Sequence, residues 1–186
     1  MASDFVLAEF GKVDILINNA GGGTSMPILE MTDEAYFKDI NTDLLGLFKC
    51  LREFGKVMVK QGHGRIINIA SILGLVGENG VPVAGYQSAK GGVVNLTRCA
   101  ATELATTGVT VNAICPGFFP SESNGPAEME AMDSFICVNT PMDRPGLPSE
   151  LDKVGELEGA AVFLASDEAS YVTGAILPVD GGWTCH

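Results

Sequence analysis

Apolar residues along the chain follow two rhythms that take turns. Short unbroken runs occur at Val13-Asp14-Ile15-Leu16-Ile17-Asn18, Arg65-Ile66-Ile67-Asn68-Ile69-Ala70, Val109-Thr110-Val111-Asn112-Ala113-Ile114 and Ala175-Ile176-Leu177-Pro178-Val179. Each is the length of a buried strand. Between the first two, Phe37, Ile40, Leu44, Leu47, Leu51, Phe54 and Met58 recur at intervals of three and four, which predicts one apolar face of a long helix. Thr32 supplies a hydroxyl cap, Asp33 and Glu34 place acids in the positive first turn, and Gly62 and Gly64 end the helix. A second helix is predicted from about Tyr86 to Thr107 and a third from Leu157 to Leu164. Strand runs that alternate with helical patterns predict an α/β fold with a parallel sheet and crossover helices. Pro178 lacks a backbone donor, so its strand belongs at a sheet edge. Residues 118–150 carry several prolines and no sustained period, which predicts a mobile flap with short helices.

With 186 residues, 46% of them hydrophobic, the chain can build the core of one domain but not of two. Eleven basic residues against 23 acidic ones give a net charge of -12. That charge repels phosphate backbones and anionic lipid surfaces, so neither nucleic acid nor a membrane is an expected partner. Five scattered cysteines, without a C-x-x-C pair or a histidine at metal-ligand spacing, predict reduced thiols and no metal site. The first residues show no basic stretch followed by an apolar one, and a cytoplasmic location is expected.

The candidate chemistry gathers at strand ends. Tyr86-Gln87-Ser88-Ala89-Lys90 puts a phenol and an ammonium on one helix face, where the cation is expected to lower the phenol pKa toward working pH. Tyrosine and lysine four apart are common in helices, so the pair gains weight only from its surroundings. Ser71 follows the second strand, Asn18-Asn19-Ala20-Gly21 the first, and Pro116-Gly117 the third. The carboxyl ends of parallel strands are where open α/β sheets assemble their sites.

These elements, in this order, resemble the classical short-chain dehydrogenase/reductase family. The matching residues are Asn18-Asn19-Ala20-Gly21, Ser71 in Ile69-Ala70-Ser71-Ile72-Leu73-Gly74, Tyr86-x-x-x-Lys90, Asn112-x-x-x-Pro116-Gly117, and Val179-Asp180-Gly181-Gly182. The resemblance covers almost the whole chain. It implies a Rossmann-like doubly wound parallel sheet and an oxidoreductase that interconverts an alcohol and a carbonyl with NAD or NADP. By the same resemblance Tyr86 exchanges a proton with the substrate oxygen and Ser71 hydrogen-bonds that oxygen. Lys90 would hold the nicotinamide ribose, Asn19, Ala20 and Gly21 would line the cofactor, and Pro116, Gly117 and the backbone near Phe119 would meet the carboxamide. Asn18 has a second reading as a tie between strands, and Asp180-Gly181-Gly182 reads as a turn rather than a ligand site. The family's members commonly form dimers and tetramers, so a homodimer or homotetramer is expected.

Two departures from the family pattern stand out. The alignment puts Asp43, in Asn41-Thr42-Asp43-Leu44-Leu45-Gly46, where the family has its active-site asparagine, with Asn41 as the fallback. An aspartate there places a negative charge near Lys90 and partly cancels its pull on Tyr86. The family's glycine-rich phosphate loop is also absent, since Gly21-Gly22-Gly23 leads into a proline-containing loop. In family terms the first three strands are missing, so the choice between NAD and NADP is unreadable. These 186 residues are then expected to bind NAD(H) or NADP(H) only above ~1 mM and to leave the first strand as an unpaired edge. The stretches Pro116 to Glu122 and Phe163 to Gly174 look most like gluconate 5-dehydrogenases, with 3-oxoacyl-[acyl-carrier-protein] reductases next. A local insertion is read at Leu151 to Leu157. The substrate is therefore expected to be a small polyol, sugar acid or similar alcohol or carbonyl compound. The rival reading is a truncated, inactive relative that serves only in self-association.

Overall fold

Ile66 and Ile67 are neighbours in sequence, and both are fully buried, on opposite faces of one strand. Only a strand covered on both sides allows this, and it explains the unbroken apolar run around them. In the computed structural model, which describes residues 2–78, 80–120, 126–149 and 154–185, this strand is β2 (Gly64–Ile69). It lies between β1 (Ile15–Asn18) and β3 (Val109–Pro116), with β4 (Ile176–Val179) beyond β3. All pairings are parallel, with Ile17 opposite Ile67, Ile67 opposite Asn112, and Cys115 opposite Pro178. Pro178 sits on an edge strand, as its missing donor requires.

Helices cover the two faces. On one, Ile66, Val109 and Val111 meet Leu51 and Met58 of α3 (Leu47–Gln61), Ala100 and Ala101 of α4 (Ala84–Leu104), and Val6 of α1 (Ala2–Phe10). On the other, Ile67 and Ile114 meet Leu164 of α6 (Glu158–Ala165). The long helix after β1 starts where expected: Thr32 accepts from the Ala35 amide at 3.2 Å at the head of α2 (Asp33–Asp39). It ends at Gly62, whose φ of +72° is the left-handed cap that favours glycine.

Two expectations are corrected. The helix from Thr32 to Gln61 is not uniform, because Ile40–Gly46 is wound as a π-helix between α2 and α3. The wider turn takes up an extra residue, and the inward positions of this half are Asp39 and Asp43. Phe37, assigned to the apolar face, is 56% exposed. The helices expected to be short in the region 118–150 are not so, since 14 of its residues form α5 (Pro126–Asn139), which buries Ile136 completely. A proline is well placed at the first position of a helix, because its missing amide hydrogen would have no partner there. Ser121 and Glu122, and Leu151 at the start of the insertion, lie outside the described residues.

Candidate functional site

At the carboxyl end of β2 the chain turns over Ser71, whose Oγ accepts from the Leu73 amide at 3.1 Å and starts a short 3₁₀ turn. That turn packs against α4 so closely that a methyl group on Gly74 would come within 2.6 Å of the Lys90 carbonyl carbon. This approach sets Tyr86, in the first turn of α4, beside Ser71, whose hydroxyl favours the phenolate. Lys90 lies one turn further on, and its Nζ is 5.3 Å from the centre of the Tyr86 ring.

Lys90 is buried, and its ammonium donates to the Ile69 carbonyl at 2.9 Å and meets Asp43 Oδ1 at 3.3 Å. The Asp43 carboxylate also accepts from the Gly22 amide, at 3.2 and 3.3 Å from its two oxygens. One turn earlier, Asp39 accepts from the Thr24 amide at 3.0 Å and from the Thr24 hydroxyl at 2.9 Å. Two buried carboxylates of the long helix thus pin the loop that follows β1. Gly21 has to be glycine here, since a side chain would run into Asp43 Oδ1 and come within 3.1 Å of Lys90 Nζ. A methyl on Gly23 would come within 2.9 Å of the Tyr86 Cβ. Asn19, Ala20 and Gly21 are exposed, at the mouth of this arrangement.

The structure therefore brings Ser71, Tyr86, Lys90, Asp43 and Gly21 together. Asn41 is exposed, which leaves Asp43 as the residue at Lys90. Pro116 pairs with Val179, the Gly117 amide donates to the Val179 carbonyl at 2.9 Å, and the Phe119 ring packs on Gly146. Gly117, Phe118 and Phe119 form one wall of a cleft of about 340 Å³ on the β3–β4 side. Phe118 links the two regions, as it packs in the same cluster as Tyr86, Phe135 and Trp183. Asn18 is a strand tie: its Nδ2 donates to Asn68 Oδ1 at 2.9 Å, and Asn68 Nδ2 donates to Thr97 at 2.9 Å. Asp180 closes a turn, accepting from Gly182 and Thr184.

The electrostatics correct one expectation. Tyr86 has its pKa raised, not lowered: burial penalises the phenolate most, the neighbouring Ser71 hydroxyl partly offsets this, and the Asp43 charge adds to the rise. Burial also pushes the Asp43 carboxyl up and the Lys90 ammonium down, while their mutual attraction opposes both shifts. Cys115, buried under the site, has its thiol pushed up to about 11 by burial, which the nearby Ser71 amide partly offsets. Sequence reasoning missed Cys115, the Ile69 carbonyl and Asp39. The four-residue spacing from Asp39 to Asp43 is the one signal that could have flagged the last.

Comparison with known proteins supplies the deciding observation. The family model described as enoyl-(acyl carrier protein) reductase, of the short-chain alcohol dehydrogenase type, matches residues 1–184. The chain belongs to the short-chain dehydrogenase/reductase family. Its relatives are oxidoreductases, and the sheet, with helices on both faces, is the family's Rossmann-like fold. The chain is 37% identical over 177 residues to the 3-oxoacyl-[acyl-carrier-protein] reductase FabG of Staphylococcus epidermidis, covering 95% of this chain and 69% of that protein. It is 40% identical to the 3-oxoacyl-[acyl-carrier-protein] reductase of Synechocystis over 95% of this chain and 67% of that one. Among solved structures, a gluconate 5-dehydrogenase from Burkholderia cenocepacia, in complex with NADP and tartrate, superposes with a TM-score of 0.91 at 34% identity. That match covers all of this chain and 70% of the other. No helix among the described residues is long and apolar enough to cross a membrane.

Proposed function

We propose that this chain is part of a single catalytic domain that interconverts a carbonyl and an alcohol with NAD or NADP, with Tyr86 as the proton donor and acceptor. The observation that carries this reading is Tyr86 beside Ser71, with the ammonium of the buried Lys90–Asp43 pair 5.3 Å from its ring, at the carboxyl end of the sheet. Bound nicotinamide supplies the hydride that reduces the carbonyl carbon, or accepts it in the reverse direction. In reduction the Tyr86 O–H bond breaks and its proton goes to the substrate oxygen, which Ser71 Oγ holds by a hydrogen bond. Two of the Lys90 N–H directions are taken by Ile69 and Asp43, and the third suits a ribose hydroxyl. The exposed backbone of Asn19, Ala20 and Gly21, with Pro116, Gly117 and the backbone near Phe119, completes a donor and acceptor set that fits the nicotinamide half of the cofactor.

Two substrate classes are supported by different observations. Tyr86 packs in an apolar cluster with Val76, Val81, Val83, Phe118, Phe135 and Trp183, surroundings that suit an apolar acyl group better than a polyhydroxylated chain. Those surroundings and the acyl-carrier-protein reductases among the relatives favour a 3-oxoacyl thioester. The gluconate dehydrogenases among the structural neighbours favour a small polyol or sugar acid. The test is to follow NADH and NADPH consumption with a short 3-oxoacyl thioester and with a keto sugar acid, side by side. Faster turnover of the thioester is expected. Turnover of the sugar acid alone would reverse the order of the two classes.

A further inference from the structure

Asp43 stands where three segments meet. Its carboxylate is completely buried, reaches Lys90 of α4 at 3.3 Å, and holds the Gly22 amide of the loop after β1. It projects from the π-helical segment, whose extra residue turns it inward. Asp39 lies behind it on the same side, also buried and bonded to Thr24.

An amide at this position could accept from Gly22 equally well but would bring no charge. The carboxylate changes the balance around the phenol. The charged and titratable groups that face Tyr86 are Lys90 from the next turn of α4, Asp43 from the long helix and Cys115 from β3, with the Ser71 hydroxyl from the end of β2 beside its own. Lys90 faces Asp43 and Cys115, and Asp43 faces Lys90 and Asp39. One ammonium therefore sits against one carboxylate in contact and a second behind it. Asp43, in contact with the ammonium, offsets part of the field that Lys90 directs at the phenol and adds a negative charge that opposes the phenolate.

We propose that Asp43 is a positioning residue that sets the working direction of the site: by holding Lys90 and Gly22 it keeps the Tyr86 hydroxyl protonated, and so fits the site to reduce carbonyls near neutral pH. This rests on the assignment of Tyr86 as the proton-transferring group. A protonated phenol can give its proton to a carbonyl oxygen at once. Oxidation of an alcohol has to draw on the deprotonated form, which is scarce until the pH rises.

The test needs no turnover. The three tyrosines are labelled with carbon-13 at Cζ and titrated by NMR, with Tyr86→Phe identifying the Tyr86 signal and the fully exposed Tyr171 serving as the internal reference. In the parent chain Tyr86 is expected to titrate at higher pH than Tyr171, and a midpoint below that of Tyr171 overturns the proposal. In Asp43→Asn, or in Asp43→Ser if the first variant does not fold, the midpoint is expected to move to lower pH. An unmoved midpoint in the folded variant also overturns the proposal, because a merely structural role would leave it in place. Where turnover is measured, oxidation at neutral pH should rise about tenfold for each unit by which the midpoint falls. Unimpaired reduction by Tyr86→Phe would instead remove Tyr86 from the chemistry, an outcome separate from either titration result.

Discussion

Lys90 is the cation on which the chemistry of two other side chains depends. With its ammonium gone, Asp43 would keep the Gly22 amide but would remain a buried carboxylate without a counter-charge. Breaking one side of a buried ion pair costs roughly 3–5 kcal/mol. Lys90→Met is therefore expected to lower stability by about that amount, measured by urea denaturation. The pH dependence has a definite sign. Asp43 already has its pKa raised by burial, and losing Lys90 raises it further, so the folded variant binds a proton that the unfolded chain releases. The stability gap between parent and variant should narrow as the pH falls from neutral toward the ordinary aspartate range. A gap that stays constant would mean that Asp43 is not the group left exposed to the loss.

The elements show what the sequence made legible and what it hid. The four strands were readable because each carries an unbroken apolar run, buried almost throughout in β2 and β3, and Ser71, Tyr86 and Lys90 were readable because strand ends and a helix first turn position them. The π-helical segment was not readable: Phe37 and Ile40 keep an apolar rhythm, yet the inward places belong to Asp39 and Asp43, which answer to the loop and to Lys90. Helix α5 escaped notice because few of its described side chains are buried, so no 3.6-residue period appears. The pairing that steadies the segment beyond α5 is equally invisible in the sequence. Arg144 and Glu156, 12 residues apart, meet through two hydrogen bonds of 2.8 and 2.7 Å, and Glu156 also accepts from the Leu147 amide at 2.8 Å. The Arg144 guanidinium and that amide hold the Glu156 carboxyl down at about 2. Whatever stability the pair supplies is present above the ordinary glutamate range and lost as the pH falls toward 2. Glu156→Gln is expected to melt below the parent at neutral pH and to match it in strong acid, as thermal melts at several pH values would show.

At the scale of the whole molecule, β1 pairs on one side only among the described residues, and Ile15 and Ile17, on the α6 side of the sheet but beyond the cover of α6, are 47% and 49% exposed. Exposed apolar residues on an unpaired edge promote association between chains, so light scattering of these 186 residues should show species larger than one chain. Among the described residues no glycine-rich turn aims a helix N-terminus at a pyrophosphate, so calorimetric titration of the same sample with NADPH is expected to give a dissociation constant above ~1 mM. Micromolar binding by a single chain would show that the diphosphate is held by other means. The assignment at the centre of this account is Tyr86 as the group that moves the proton. It is tested most directly by comparing NAD(P)H-dependent carbonyl reduction by the parent and by Tyr86→Phe, in a form of the protein that turns over. The account predicts a fall of about 100- to 10,000-fold with the fold intact by circular dichroism. Near-parental turnover in Tyr86→Phe would contradict it.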